Sequence, residues 1–326
     1  MPAYLPNELS VVAVLAAVLI SVLLLGHALA SRLRPGVARP LAWTALVLGT
    51  LGVERLVARE PPGVRMVALI AFALLTMKVI IVIEERARGM APLTIGAWLC
   101  FAGAWLGMKP RLFVSAEAAP LPGAGALLVR GALHAILGAT LVIIARVAWS
   151  NTHSRLLASV LLLPGLSLLL HFGLCNLLAG TWRFRGVACG ALFRAPLMSQ
   201  NLGEFWARRW NLAFFEMTTI AVYRPLAGRL GRRAGLMAGF GFSGLLHEMA
   251  ISVPVRAGFG LPLCYFILHG GLVLVERALS NSGHRLLGSP GRAWTLFWLG
   301  APLPILFHRP FLAGLIWPLI GIPPGE

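Results

Sequence analysis

The stretch FGFSGLLHEMAI (residues 240–251) sets His247 and Glu248 side by side within an apolar run, and the fold turns on what surrounds that run. In a soluble domain it would be an ordinary core helix. In a membrane span an ionisable side chain is costly: Asp, Lys or Arg at the centre costs about 2.5–3.5 kcal/mol, and such a residue points to function. Composition separates the two cases. Of the 326 residues, 58% are hydrophobic and only 12% are charged, against about 25% charged in soluble domains. One soluble core cannot bury so much apolar surface, so lipid is the expected solvent.

Working outward, apolar runs of spanning length recur at 9–30, 40–58, 65–83, 91–108, 124–148, 155–179, 207–226, 233–253 and 259–279. A last apolar region, 293–322, is interrupted by Pro302, Pro304 and Pro310 and is expected to kink or to form two short pieces. The segment 181–206 holds Arg183, Arg185, Arg194, Pro196 and Glu204 and is too polar to span. It is expected to be a long loop with a short interfacial helix. The expected fold is therefore all-α and polytopic, with about eight to ten helices. GHALAS offers a signal-type cleavage pattern at Ala28 and Ala30, but no basic residue precedes the run and Glu8 does, so a retained first span is expected.

The formal net charge is +17. Its arginines are scattered between apolar runs rather than gathered into a patch, which fits span ends at lipid headgroups and gives no reason to expect nucleic acid. They occur in loops on both sides of an alternating topology, so charge alone sets no orientation. The four cysteines form no CxxC pair, and His247 and Glu248 belong to no metal-binding spacing; neither disulfide nor metal is expected.

Gly235, Gly239, Ser243 and His247 recur every four residues and line one face of a helix. Small residues there admit a neighbouring helix or a substrate chain. Glu248 points about 100° away and must find a partner or be protonated. Upstream, NLGEFWARRWNLAFFEM (201–217) mixes Trp206, Trp210, Arg208, Arg209 and Asn211. Aromatic and arginine side chains of this kind anchor interfacial helices, and an inward Asn211 would donate to a carbonyl oxygen that gains charge.

Three boxes stand in order: Pro196 and Ser199 ahead of Glu204-Phe205-Trp206 and Arg209-Trp210-Asn211, then Val222, Tyr223 and Pro225, then Ser243, Gly244, His247 and Glu248. Together they resemble the membrane-bound O-acyltransferase family, in its wax-synthase-like branch, over about 190–280. Ala207 departs from the glycine common in that branch, a small-for-small change. The resemblance implies helices around a tunnel, and His247 and Asn211 serving acyl transfer. It divides the single membrane domain (1–326) into N-terminal helices (1–180), an acyltransferase core (181–280) and C-terminal helices (281–326).

The chemistry of the residues agrees. Acyl transfer from a thioester to an alcohol needs a base near the hydroxyl, the role assigned to His247, and a donor to the oxyanion, the role assigned to Asn211. Trp206, Arg209, Trp210, Ser243, Glu248 and His269 are candidate substrate-binding residues. Ser243 as an acyl-enzyme nucleophile lacks a visible activating group. A dry tunnel would admit an acyl chain and exclude water. The expected partners are acyl-CoA or another acyl thioester as co-substrate, a hydroxyl-bearing lipid or small molecule as acceptor, and the bilayer, with no separate cofactor. The expected location is multi-pass in a bacterial inner (cytoplasmic) membrane. A transporter with a polar midplane site, or a non-catalytic lipid-binding scaffold, is the competing interpretation.

Overall fold

The computed structural model describes residues 2–323, and helices are the only regular elements among them. Hydrocarbon offers no partners to backbone N–H and C=O groups, so each spanning segment satisfies its own. Among the described residues seven helices are long and apolar enough to cross a membrane: α1 (Leu9–Arg32), α2 (Pro35–Leu56), α3 (Pro62–Ala87), then, past a shorter helix α4 (Ile95–Ala104), α5 (Ala124–Thr152) and α6 (Arg155–Phe184), and further on two near the C-terminus. Between α6 and those two lie α7 (202–209) and α8 (212–230). The last two spans are α9 (Arg232–Val255) and α10 (Leu261–Asn281). α11 (Gly288–Leu306) and α12 (Arg309–Ile320) form a pair bent by 69°. The chain is an integral, multi-pass, all-α membrane protein.

Polar contacts fix which helix ends share a face. Buried Arg65 at the start of α3 donates to Pro254 O at 2.6 Å and Val253 O at 2.9 Å, at the end of α9, and pairs with Glu54. Glu60 accepts from Asn7 N at 2.7 Å, which joins the starts of α1 and α3. Arg86, at the end of α3, donates to Ala30 O at the end of α1. α9 therefore begins on the face where α1, α3 and α10 end. Arg229, Arg232, Arg233, Arg277, Arg285 and Arg292 crowd that face.

Two of the expected spans are not spans. The run 91–108 contains only α4, ten residues long. α4 enters from the face where α3 ends and turns back, because Lys78 meets it there. The Lys78 ammonium is fully buried in α3 and donates to Phe101 O (2.7 Å), Trp105 O (2.6 Å) and Gly107 O (2.9 Å). It thus satisfies carbonyls that a helix C-terminus leaves free. Arg111, just beyond, returns to Glu85 at the end of α3. The run 207–226 is likewise broken, at Trp210 and Asn211, into the end of α7 and the start of α8.

Candidate functional site

α7 dips inward from the loop 185–201, and its entry is held by a neighbour. Glu276 of α10 accepts from Leu202 N (2.7 Å), Gly203 N (2.9 Å) and Trp294 Nε1 (3.0 Å). Three donors satisfy this buried carboxylate. Asn201 caps the same turn, accepting from Glu204 N at 2.7 Å. Arg209 donates to Glu204 at 2.7 Å and reaches the carbonyls of Arg194 and Ala195. Burial alone would raise the Glu204 carboxyl; the Gln200 N–H and the Arg209 and Arg208 guanidiniums outweigh it and hold it below its ordinary value.

Asn211 follows with φ 43° and ψ 63°, in the left-handed region. Asparagine tolerates this conformation through local side-chain hydrogen bonds. Here its Oδ1 accepts from Phe214 N at 3.2 Å and caps α8. That bond turns the Nδ2 donor away from the helix. Nδ2 has no acceptor among the described residues, yet it is not sealed from accessible space.

His247 lies about 22 Å along α9 from its start. Its Nδ1 is 2.7 Å from the Ser243 carbonyl. A carbonyl oxygen only accepts, so Nδ1 carries the proton and, in the neutral ring, Nε2 keeps a lone pair. Nε2 has no partner among the described residues and also opens on accessible space. The ring packs against Phe266 (centroids 4.2 Å) and Phe214 (5.5 Å). Phe214 is the residue whose backbone N–H Asn211 caps, so His247 packs on the ring of a residue that Asn211 holds by its backbone. Among the described residues no hydrogen bond joins their side chains.

The other predicted residues take different places. His269 is fully buried, stacks on Tyr265 at 4.3 Å and accepts from Trp206 Nε1 at 3.0 Å. Its Nε2, beside the Trp298 backbone, is sealed and unpaired. Ser243 Oγ donates to Gly239 O at 3.0 Å within its own helix; its contribution to the site is the carbonyl that orients His247. Glu248 Oε1 accepts from Leu263 N at 3.0 Å, capping the first turn of α10. Gly244 permits that approach, since a Cβ there would lie 2.9 Å from Leu263 Cα. Trp210 stacks on Phe205 at 5.5 Å. Burial pushes the Cys189 thiol up to about 12 despite nearby Lys78 and Arg183, which favours the protonated form.

Sequence reasoning missed Glu276. The available signal was a carboxylate inside an apolar run. It also gave His171 no role, although His171 packs on Trp210 at 5.4 Å.

Residues 189–268 match the Membrane bound O-acyl transferase family. The chain is 35% identical to the Probable long-chain-alcohol O-fatty-acyltransferase 2 of Arabidopsis thaliana over 111 residues, 31% of this chain and 32% of that protein. It is 28% identical to the Long-chain-alcohol O-fatty-acyltransferase of Simmondsia chinensis over 99 residues, 28% of each chain. The match thus covers about a third of the relatives' length. Within that segment lie α7, Asn211, α8, His247 and the start of α10, and across it the chain is similar to the membrane-bound O-acyltransferase family and to long-chain-alcohol O-fatty-acyltransferases.

Proposed function

We propose that the protein transfers an acyl group from a thioester, acyl-CoA, to a hydroxyl, with a long-chain alcohol as acceptor and a wax-type ester as product. One observation carries this: a deep histidine whose Nδ1–H is spent on Ser243 O and whose Nε2 is unpartnered and open. That is the arrangement of a general base. The alcohol oxygen attacks the thioester carbonyl as Nε2 takes the hydroxyl proton, forming the new C–O bond. The carbonyl electrons move to oxygen, and the Asn211 Nδ2–H donates to that oxyanion. Collapse breaks the C–S bond, and the proton on Nε2 goes to the departing thiolate. Phe266 and Phe214 keep water from competing.

The relatives' printed names support the alcohol as acceptor. The bend between α11 and α12, which a transporter would use as a broken helix, is filled by His308. Its Nδ1 accepts from Phe311 N at 3.3 Å, and its Nε2 faces Ser252 Oγ at 3.4 Å. A bacterial cytoplasmic membrane is part of the same proposal.

The test is CoA release by the purified protein in detergent, with palmitoyl-CoA and 1-hexadecanol. We expect release that depends on the alcohol, falls at least a hundredfold in His247→Ala and falls less steeply in Asn211→Ala. Undiminished release from folded His247→Ala would remove the histidine from its role.

A further inference from the structure

His171 lies outside the family-matched segment, in a π-helical turn of α6 (Leu168–Leu174). Such turns recur at functional sites. Its ring forms a triangle with two rings of the matched segment: Phe193 at 4.7 Å, Trp210 at 5.4 Å, and Phe193 to Trp210 at 4.9 Å. Ser167 Oγ lies 3.1 Å from Nδ1 and fixes the ring. Nε2 has no partner among the described residues and is not sealed. The same holds for the indole N–H of Trp210, the residue before Asn211. His269 differs, since its free nitrogen is closed off.

Counting from the end of α6, His171 is about 20 Å deep, close to the depth of His247 in α9. A chain of ring contacts joins them: Trp210 to Phe205 (5.5 Å), Phe205 to Trp206 (5.0 Å), Trp206 to Phe266 (5.5 Å) and Phe266 to His247 (4.2 Å). Two unsealed nitrogens set among aromatic rings at mid-depth offer hydrogen bonds that water or a bound molecule can take. They suit a neutral, oxygen-bearing group of a bound molecule.

We propose that His171 and Trp210 form a second polar subsite of the same reaction chamber, which hydrogen-bonds a neutral amide or hydroxyl of a substrate. The proposal rests on the acyl-transfer interpretation for its substrates. Two sources share this chemistry: the amides of a pantetheine thioester and the hydroxyl of the alcohol. His171 is thereby a substrate-binding residue supplied by the N-terminal helices.

Two readouts test it. The first is carbethoxylation of His171 by diethyl pyrocarbonate, mapped by peptide mass spectrometry in the wild-type protein with and without palmitoyl-CoA or 1-hexadecanol. Protection by palmitoyl-CoA assigns the subsite to the donor, and protection by 1-hexadecanol to the acceptor. No modification, or modification that neither molecule reduces, overturns the proposal. The second is steady-state kinetics of His171→Phe and His171→Gln. His171→Phe keeps the ring and should raise KM for the protecting substrate about tenfold, with kcat within about twofold; His171→Gln should recover most of the loss. Unchanged KM values in His171→Phe overturn the proposal. Wild-type protein that turns over no thioester would instead sink the acyl-transfer interpretation, and the footprint alone would then decide whether His171 binds either molecule.

Discussion

The indole N–H of Trp206 donates to His269 Nδ1 at 3.0 Å, and this bond gives the histidines of α9 and α10 opposite roles. His269 is tied at one nitrogen and sealed at the other; His247 is tied at one and open at the other. His269→Ala should therefore act through stability. It leaves a cavity and a buried indole donor without a partner, a loss of about 2–4 kcal/mol. His247→Gln should act through chemistry, abolishing turnover with little change in the thermal midpoint. Midpoints and rates measured side by side in detergent check the split. A stable but inactive His269→Ala would contradict it.

Lys78 should prove structural despite its charge. Lys78→Met leaves three buried carbonyls without their donor, and each such loss costs about 1–3 kcal/mol. Lys78→Arg should not rescue, because a planar fork cannot replace a tetrahedral ammonium. Fluorescence-detected size exclusion after graded heating reads this directly. Wild-type stability in Lys78→Met would show that α4 holds its turn by other means.

The Glu204–Arg209 pair should give a definite pH signature. The folded carboxyl is held below its ordinary value, so its stabilisation is complete above the unfolded value of about 4.3 and is lost as pH falls through the folded value. Glu204→Gln should unfold at a lower temperature than wild type above about pH 5. The gap should close as the medium is acidified further. A gap that widens with acid would mean that another interaction holds α7.

Orientation follows from the basic face. Arg229, Arg232, Arg233, Arg277, Arg285 and Arg292 stand at one set of helix ends, while at the other set Arg65 and Arg256 are bound to backbone carbonyls and Arg55 and Arg59 are exposed. The positive-inside rule predicts a cytoplasmic position for the more crowded face. With the four native cysteines changed to alanine, Thr152→Cys should react with an impermeant maleimide on intact cells. Ser282→Cys should react only after lysis. The reverse pattern would invert the topology.

Most spans were legible because hydropathy over about 20 residues is a property of the segment itself. The 91–108 error shows the limit. Its residues are as apolar as those of a span, and what turns them back is an ammonium from α3. The break at Asn211 was hidden for a related reason, since a left-handed backbone leaves little mark in a single asparagine. In the site, His247 and Asn211 stood out as polar residues in apolar or aromatic surroundings. The difference between His247 and His269 did not, because it resides in which ring nitrogen a neighbouring tryptophan reaches. Glu248 needed a partner, and the structure supplies the Leu263 backbone N–H of α10 to Oε1, with Oε2 sealed and unpaired.

The Glu276 clamp on α7 also has a temporal side. The chain leaves the ribosome from its N-terminus, so residues 202 and 203 emerge 74 and 73 residues ahead of the carboxylate that seats them. Until α10 has been made and inserted, the start of α7 has exposed backbone donors and nothing to close them. Asn211 and Trp210, carried on the end of that segment, settle only afterwards. Seating of α7 is thus a late event in biogenesis, and a nascent chain stalled before residue 276 would have most of its membrane helices and an unseated α7.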